Sequence, residues 1–563
     1  MKSLRTVASL LLTALFALAV TSAFAGAKSR NDAKTTDALA SARAAASGDP
    51  LLEALLTELE RSKAQLKMNN VDAPYFIEYR VSDIQQYIAE AAFGAMRESQ
   101  NVHVRLLRVV VRVGDYKQDS YFGQGMGETT VLPLDNDPIA LRRQIWLATD
   151  DAYKSATEAL TQKRAILKQF TADDHPIDDF AQAPVSTALE APATLRINSA
   201  DWNKTLEAVT GLFRQYTDIQ SISASARFSA TNEYLVSSEG TVNRTGKNVY
   251  SVALDASTQA PDGMRLARSP AWTVAKLEEL PTREKFMSDA KEALDTLVAL
   301  RKAPIVEEEY RGPVLFSPDA ADDVISSLIG QNILGRKPQL GAPNRTTGAF
   351  ATSYKSRILP TFLSVTDDPT MKEFDGKSLV GSYAVDSEGV KAQPVNIVQK
   401  GILTNYLIGR QPIRDFAESN GHGRAGAAAP PGPGVGVLLV KSSEAESPAD
   451  LKKKIIEMAT NEGIPYVYRV ETMGGTAPRL LYRVYAKDGH EELVRGAVFN
   501  ELDVRAMRSD LSAVGNDPLV SNRETGVPST IISPSLLFDE LEVKRGDTSK
   551  DKLPDYPEPP LAK

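Results

Sequence analysis

Apolar residues recur at helical spacing in two parts of the N-terminal half. Four leucines between positions 52 and 59 lie three or four residues apart, which gathers them on one helix face. The pair Asp49-Pro50 precedes them, and an Asp cap followed by proline in the first turn is a typical helix start. The same pair recurs at Asp137-Pro138. We therefore expect helices from these two pairs to about Lys67 and to about Phe170.

Between these helices the pattern becomes that of strands. The runs 75–81 and 102–113 are rich in aromatic and β-branched residues and are separated by turn residues, which predicts an antiparallel meander. From residue 310 onward the chain is again mostly strand-like. Further helices are expected over about 199–216, 282–303, 319–328 and 448–462, and further strands over about 221–228, 234–236 and 248–254.

These patterns divide the chain into regions. A length of 563 residues exceeds what one ordinary core accommodates, so several domains are expected. Prolines 176, 184 and 192 mark residues 171–192 as a linker or an irregular crossover. The predicted fold class is α+β. Its regions are a flexible leader over 26–48, an N-terminal α/β region with antiparallel strands over 49–303, a strand-rich region over 304–545 and a disordered tail over 546–563.

The first 25 residues have the pattern of a secretory signal. A basic start precedes an apolar run from Leu10 to Val20, and Ala23 and Ala25 flank Phe24 as an A-x-A cleavage site. The apolar run is shorter than the ~20 residues that a membrane-spanning helix needs. We therefore expect a signal peptide over 1–25 and a periplasmic or secreted protein with no membrane span after its removal.

Composition limits the chemistry that the chain can support. With 65 Lys+Arg against 72 Asp+Glu the formal charge is −7, and the absence of a long basic run argues against a nucleic-acid partner. Cysteine is absent, which excludes disulfides, thiol nucleophiles and cysteine-ligated metals. Only four histidines are present, and none are three or four positions apart, so no helix presents a chelating pair.

Two histidines and one glycine-rich loop remain as candidates. His422 and His490 with a remote carboxylate could form a metal site, although surface or loop histidines are the simpler interpretation. The loop 421–436 contains His422 and Arg424, and its three prolines lack the N–H donors of a phosphate cradle. A solvated or substrate-covering loop is favoured, with an anion nest as the alternative.

Four segments of the C-terminal half together resemble a known family. They are Tyr310-Arg-Gly-Pro-Val-Leu-Phe and its continuation to Gly335, Gly401-Ile-Leu-Thr-Asn-Tyr-Leu407 with the glycine loop, Ala513-Val-Gly-Asn-Asp517, and Pro528-Ser-Thr-Ile-Ile-Ser-Pro to Leu541. In this order they resemble the TldD/PmbA family of metallopeptidase-related proteins, once described as modulators of DNA gyrase. The resemblance implies a TldD/PmbA-like C-terminal domain over 304–545, dominated by antiparallel, barrel-like sheet.

The resemblance also implies where family chemistry would lie. Active members carry H-E-x-x-x-H on the helix after the first segment, together with a later cysteine ligand. This register places Ser326 and Gln331 at the histidine positions and Ser327 at the glutamate position. Hydroxyl and carboxamide groups are poor zinc ligands, so the family zinc is predicted to be absent and no metal or other cofactor is expected.

The predicted function follows from these vacant positions. We expect an exported pseudoenzyme of the zinc-less PmbA/TldE-like branch, a peptide-binding or partner subunit of a peptidase assembly. Its partners would be a zinc-bearing TldD-like subunit and a peptide substrate. Two alternatives stay open: an active metallopeptidase or hydrolase that uses His422 or His490 as base or ligand, and a structural envelope protein.

Overall fold

The computed structural model describes residues 43–44, 46–170, 176–475, 477–547 and 551–555. The predicted signal with Ala23 and Ala25 lies outside the described residues, as do His175, most of the leader 26–48 and most of the tail 546–563. Within the described part of the chain, no helix is both long and apolar enough to cross a membrane.

Twelve named elements build the N-terminal region. They are α1 (Pro50–Gln65), β1 (Phe76–Ala92), β2 (Ala95–Arg112), β3 (Glu128–Val131), α2 (Pro138–Leu167), β4 (Thr187–Leu189), α3 (Ser199–Thr210), β5 (Ser221–Ser237), β6 (Val242–Gln259), β7 (Arg265–Arg268), β8 (Ala271–Val274) and α4 (Arg283–Lys302). Both predicted Asp-Pro helix starts are confirmed, since Asp49 and Asp137 accept backbone N–H groups of their first turns.

The N-terminal strands form one sheet in the order β3-β2-β1-β5-β6-β4, with β7 and β8 also paired to β6. Its strands are longer than predicted, because β1 and β5 continue through polar residues. One face of the sheet packs against helices: Tyr79 and Val81 lie in a core with leucines of α1, and Phe228 lies in a core with residues of α3 and α4. The other face is left for the C-terminal region.

The C-terminal region begins at β9. Its elements are β9 (Tyr310–Phe316), α5 (Pro318–Val324), a π-helix (Ile325–Gly330), β10 (Leu363–Asp367), β11 (Glu373–Phe374), β12 (Lys377–Ser378), β13 (Val395–Gln399), β14 (Ile402–Leu403), β15 (Gly423–Arg424), β16 (Gly432–Pro433), β17 (Val437–Ser442), β18 (Ala445–Glu446), α6 (Pro448–Glu462), β19 (Tyr466–Gly474), β20 (Ala477–Tyr485), β21 (Glu491–Val494), β22 (Ala497–Phe499), α7 (Val504–Ser509), β23 (Leu511–Gly515), β24 (Leu519–Glu524), β25 (Pro528–Ser533) and β26 (Leu536–Arg545).

The predicted α+β class is confirmed, but the expected barrel-like closure is wrong. Two open sheets, β14-β13-β10-β17-β25-β24 and β18-β23-β26-β9-β19-β20-β21, contribute to one large shared core. The strands that end each path are not paired with each other in the described part of the chain. The pairs β17–β25, β9–β19 and β18–β23 are parallel, so the region is a mixed structure instead of an antiparallel meander that closes on itself.

The predicted linker 171–192 is tied down where the structure describes it. Phe180 and Ala181 are buried, and the Ala181 N–H donates to the backbone carbonyl of Arg410. The short strand β4 then pairs in parallel with β6. This crossover therefore joins the N-terminal sheet to the C-terminal region.

Candidate functional site

The helix that follows β9, below called the degenerate helix, carries Ser326, Ser327 and Gln331, to which the family resemblance assigns the positions of the zinc motif. Ser317 caps α5 by accepting the Ala320 N–H, and the helix continues directly into the π-helix. Ser326 is partly buried, whereas Ser327 and Gln331 are exposed. The Ser327 hydroxyl donates to the Asp323 carbonyl at 2.8 Å. A π-helix in this position is of interest because such turns occur frequently at functional sites.

The guanidinium group of Arg523 lies next to Ser326. Arg523 of β24 donates from Nη1 to the Ser326 hydroxyl at 2.9 Å and from Nη2 to Asp323 Oδ1 at 3.0 Å. It also pairs with Asp322, which is buried. Burial raises the pKa of Asp322, and the neighbouring Arg523 charge opposes that rise.

These groups do not fit a zinc ion. The positions that the resemblance assigns to imidazoles offer a hydroxyl and a carboxamide, and the adjacent carboxylates already neutralise a guanidinium. Throughout the described ranges, no group of three or more His, Asp or Glu residues is arranged to hold a metal ion. No chemical step through a metal is therefore derived for this helix.

The structure does not bring His422 and His490 into one site. His422 is completely buried, with Nδ1 2.9 Å from the Asn420 carbonyl and Nε2 3.2 Å from Asp367 Oδ1. His490 lies in the turn between β20 and β21, where it is exposed and stacks on Tyr485. His422 thus holds the glycine loop in place and is not presented to solvent.

The glycine-rich segment forms a docked hairpin of β15 and β16. The carbonyl of Ala429 at its tip accepts from Arg80 of β1, and the carbonyl of Ala428 accepts from Arg108 of β2. Arg424 donates to the Pro528 carbonyl at 2.7 Å and stacks on Tyr383. The hairpin therefore spans the N-terminal and C-terminal regions, and Arg424 faces a cavity between them.

The floor of this cavity is one face of three paired strands. Side chains at alternate positions of a strand share a face. The lining residues follow that rule: Arg80, Ile84 and Gln86 of β1, Ser229, Thr231, Glu233 and Leu235 of β5, and Asn243, Thr245, Lys247 and Val249 of β6. The opposite face of the same strands is the one packed against helices.

The C-terminal region supplies the roof of the cavity. Residues 369–372, 382–392, 424–427 and 524–528 contribute to it, and the enclosed volume is about 640 Å³. That volume lies within the roughly 300–1,000 Å³ typical of small-molecule sites. The roof is fastened to the floor by Lys247, whose amine donates to the carbonyls of Val380 at 2.6 Å and Ser382 at 2.8 Å.

The cavity holds charged groups whose proton affinities are changed by burial. Burial raises the pKa of Glu233 to about 7, although the Arg80 charge opposes the rise. Burial lowers the pKa of Lys247 to about 7, and the nearby Arg424 charge lowers it further. The pKa of Glu524 is also raised by burial. Glu233 and Lys247 can therefore change charge near neutral pH.

The cavity and the degenerate helix lie on opposite sides of β24. Arg523 points to α5 and the π-helix, and the next residue, Glu524, lines the cavity. Adjacent strand residues point to opposite faces. Of the sequence candidates only Arg424 lines this cavity. The floor was not predictable from the sequence, where its one signal is that the polar residues Arg80 and Gln86 share a face of β1.

Comparison with family models finds one match in the C-terminal region. Residues 309–545 match the model of the PmbA/TldA metallopeptidase C-terminal domain. This confirms the family that the sequence motifs suggested for that region, and the matched residues include β9, the degenerate helix, the glycine hairpin and β24.

Two curated relatives support the same family. One is a metalloprotease of Methanocaldococcus jannaschii, 28% identical over 145 residues, which are 25% of this chain and 30% of that protein. The other is Metalloprotease PmbA of Escherichia coli O157:H7, 26% identical over 159 residues, which are 28% of this chain and 32% of that protein. The aligned segments thus span about a third of the length of these curated relatives.

Solved structures resemble the chain over most of its length. A proposed modulator of a DNA gyrase from Thermotoga maritima covers 86% of this chain and 99% of its own at 13% identity, with a TM-score of 0.59. TldE from Thermococcus kodakarensis covers 87% of this chain and 100% of its own at 12% identity, with a TM-score of 0.56. At these identities the likeness shows the fold, and it extends to the N-terminal sheet and its helices.

Proposed function

We propose that this chain, related to the TldD/PmbA family through residues 309–545, is a non-catalytic subunit of a metallopeptidase assembly. The observation that carries the proposal is the position of Arg523. Its guanidinium is paired with Asp322 and Asp323 and bonded to Ser326, so the place of a metal is taken by a fixed organic cation. A cation in that place repels a divalent metal and supplies no water-activating centre.

The role would be to bind peptide or to hold a catalytic partner. An exposed edge of the N-terminal sheet supports this part of the proposal: in the described part of the chain β3 pairs with β2 alone. Val131 on β3 and Ile139 in the first turn of α2 have exposed fractions of 60% and 79%. An open strand edge beside apolar side chains can accept an extended peptide by strand addition or can dock a second subunit. The partner proposed here is a relative that carries an intact H-E-x-x-x-H helix.

We further propose that the assembly works outside the cytoplasm. The basis is the secretory pattern of residues 1–25, with cleavage after Ala25. The absence of cysteine is compatible with an oxidising compartment, because no thiol is present to form an unwanted disulfide.

Metal analysis and peptide hydrolysis test the proposal together. The chain is purified without chelators, its zinc content is measured by mass spectrometry, and cleavage of unfolded peptides is measured with and without added zinc. We expect far less than one zinc per chain and no cleavage by the isolated protein. Affinity capture from the native cell envelope should recover a family member with the intact zinc motif.

A variant separates this proposal from an active enzyme with an unusual site. His490→Ala removes the accessible histidine candidate. Its zinc content and its peptide cleavage should equal those of the unaltered chain, since His490 is exposed and stacked on Tyr485. One tightly held zinc per chain together with peptide cleavage by the isolated protein would contradict the non-catalytic role.

A further inference from the structure

Among the residues that the structure describes, five cationic ones line the cavity between the two regions, and three of them, Arg80, Arg424 and Lys247, make no ion pair and are held by other contacts. Arg80 is 3% exposed, its Nη2 donates to the Ala429 carbonyl, and its Nη1 has no hydrogen-bond partner. Arg424 likewise has a buried Nε without a partner. Lys247 donates only to carbonyls. No ion pair involves any of the three within the described residues.

Arg80 lies near Glu233, Glu78 and Glu388 but makes no ion pair with them within the described residues, and a buried guanidinium that is not directly paired is costly. Removing a charge from water disfavours the folded state unless an opposite charge compensates it. The Nη1 of Arg80 and the Nε of Arg424 have no hydrogen-bond partner in the described ranges, so each leaves an N–H donor for an anionic group. Planar guanidinium groups match carboxylates in both shape and charge. This side of the cavity is therefore suited to an organic carboxylate.

Two carboxyl groups provide the opposite charge in the same cavity. Glu233 lies on the floor, in the register next to Arg80, because the strand pairing sets Arg80 opposite Leu235 and Ser82 opposite Glu233. Glu524 contributes from the end of β24. Neither forms an ion pair within the described part of the chain. Two more carboxylates line the cavity, and both accept backbone N–H groups: Asp386 from residues 388, 390 and 423, and Glu190 from Gly246.

We propose that this cavity binds a small zwitterion, a molecule that carries one carboxylate and one ammonium group. Arg80 and Arg424 would hold the carboxylate, and Glu233 and Glu524 would hold the ammonium. The volume of about 640 Å³ accommodates a ligand of amino-acid or dipeptide size. The site is separate from the degenerate helix, since Glu524 and Arg523 point to opposite sides of β24.

The experiment is calorimetric titration of the full mature chain with four probes. Alanine and dialanine carry both charges, N-acetylalanine lacks the ammonium group and alaninamide lacks the carboxylate. We expect saturable binding of alanine or dialanine, and loss of either charge should weaken binding about tenfold or more. The stronger of the first two probes identifies a free amino acid or a dipeptide as the ligand class.

Two variants assign the ends of the ligand. Arg424→Met should weaken binding of the zwitterion and of N-acetylalanine, because both carry the carboxylate. Binding of alaninamide, which lacks the carboxylate, should be unaffected. Glu233→Gln keeps the size of the side chain and removes its charge, so it should weaken the zwitterion while leaving N-acetylalanine unaffected. Arg505→Met serves as the control, since Arg505 is 79% exposed and pairs with Asp503 on the surface.

Proton release on ligand binding provides a second measurement. If Glu233 only stabilised the fold, binding would not release a proton from it. At pH 7 an ammonium group should drive Glu233 to its ionised form, so the binding enthalpy should depend on the ionisation enthalpy of the buffer. Glu233→Gln should reduce that dependence. The inference is overturned if neither zwitterion binds, if the singly charged probes bind as tightly, or if both variants bind like the unaltered chain.

Discussion

Glu233 shows how strongly its surroundings change an ordinary side chain. It lies on a strand face that would be a solvated surface if the N-terminal sheet stood alone, and the C-terminal roof covers it. The same cover acts on Lys247, so an acid and a base on neighbouring strands both have a pKa of about 7. Burial disfavours the charged form of each group, which shifts the two pKa values in opposite directions.

Glu233→Gln should change how stability depends on pH. The pKa of Glu233 is about 7 in the folded chain and 4.5 in its ordinary state, so the folded form binds the proton more tightly. The unaltered protein therefore loses stability as the pH rises from about 4.5 through 7. Relative to the variant, it should lose about 2 kcal/mol more of its free energy of unfolding at pH 8 than at pH 5.

Urea denaturation at these two pH values measures that difference. Glu457→Gln is the matched control, because Glu457 is 60% exposed on α6 and its removal should leave the pH dependence unchanged. Equal pH dependence of Glu233→Gln and the unaltered chain would show that Glu233 is ionised freely in the folded state.

At the same scale, the sequence could single out Ser326, Ser327 and Gln331 but not the side chain that contacts Ser326. Ser326, Ser327 and Gln331 were predicted from the family register alone. Arg523 could not be predicted, because it lies 197 residues further along the chain from Ser326. A local pattern carries no information about a contact that only the pairing of β24 with β25 establishes.

The glycine hairpin shows what local pattern can and cannot give at the scale of an element. Its prolines and glycines predicted a solvated or substrate-covering loop, and they did not predict that β15 and β16 pair or that Arg80 and Arg108 hold the tip. Helix starts were predictable because an Asp-Pro signal is local. The docking of the hairpin was not predictable, because it depends on Arg80 and Arg108, which lie more than 300 residues away in sequence.

Two glycines of this hairpin provide a matched pair of substitutions. A Cβ at Gly423 would lie 2.1 Å from Glu388 Oε2, and Glu388 is itself buried and accepts the Arg410 N–H. A Cβ at Gly432, directly across the hairpin from Arg424, would meet nothing within 4 Å. Gly423→Ala should therefore reduce the free energy of unfolding by about 2 kcal/mol, and Gly432→Ala should change it by less than about 0.5 kcal/mol.

Thermal and urea denaturation of both variants test this expectation. Equal stability of the two would mean that Glu388 moves aside without loss, and that the close approach of the hairpin to this carboxylate does not constrain the fold.

At the scale of the whole molecule, the two regions share one interface instead of standing as separate bodies. The sequence predicted the α+β class and the order of elements, but it could not distinguish a linker from an irregular crossover over residues 171–192, where the chain is anchored at Phe180 and Ala181. It also expected a barrel where two open sheets meet. Both features depend on contacts between residues that are far apart in sequence. Packing of one region against another leaves no periodic hydrophobic pattern in the sequence of either region.

Arg410 is the side chain on which this interface should depend most. It is 2% exposed, donates to the Ala181 carbonyl at 2.8 Å and to Glu239 Oε1 at 2.8 Å, and lies over the Phe180 ring. It thereby links the C-terminal region, the crossover and the turn after β5. Replacing it leaves the Ala181 carbonyl without this side-chain donor and the Glu239 carboxylate without its counter-charge, although the Tyr116 hydroxyl still donates to Glu239.

Arg410→Met should lower the free energy of unfolding by about 3 kcal/mol and weaken the coupling between the two regions. Calorimetry should show one thermal transition in the unaltered chain and a broadened or divided transition in the variant, and limited proteolysis should become faster within residues 176–198. Arg311→Met is the control, because Arg311 is 64% exposed and pairs with Glu540 within the C-terminal region, so its loss should leave the thermal transition nearly unchanged. A single transition of Arg410→Met at the temperature of the unaltered chain would mean that the regions are held together by the cavity roof and the glycine hairpin without this guanidinium.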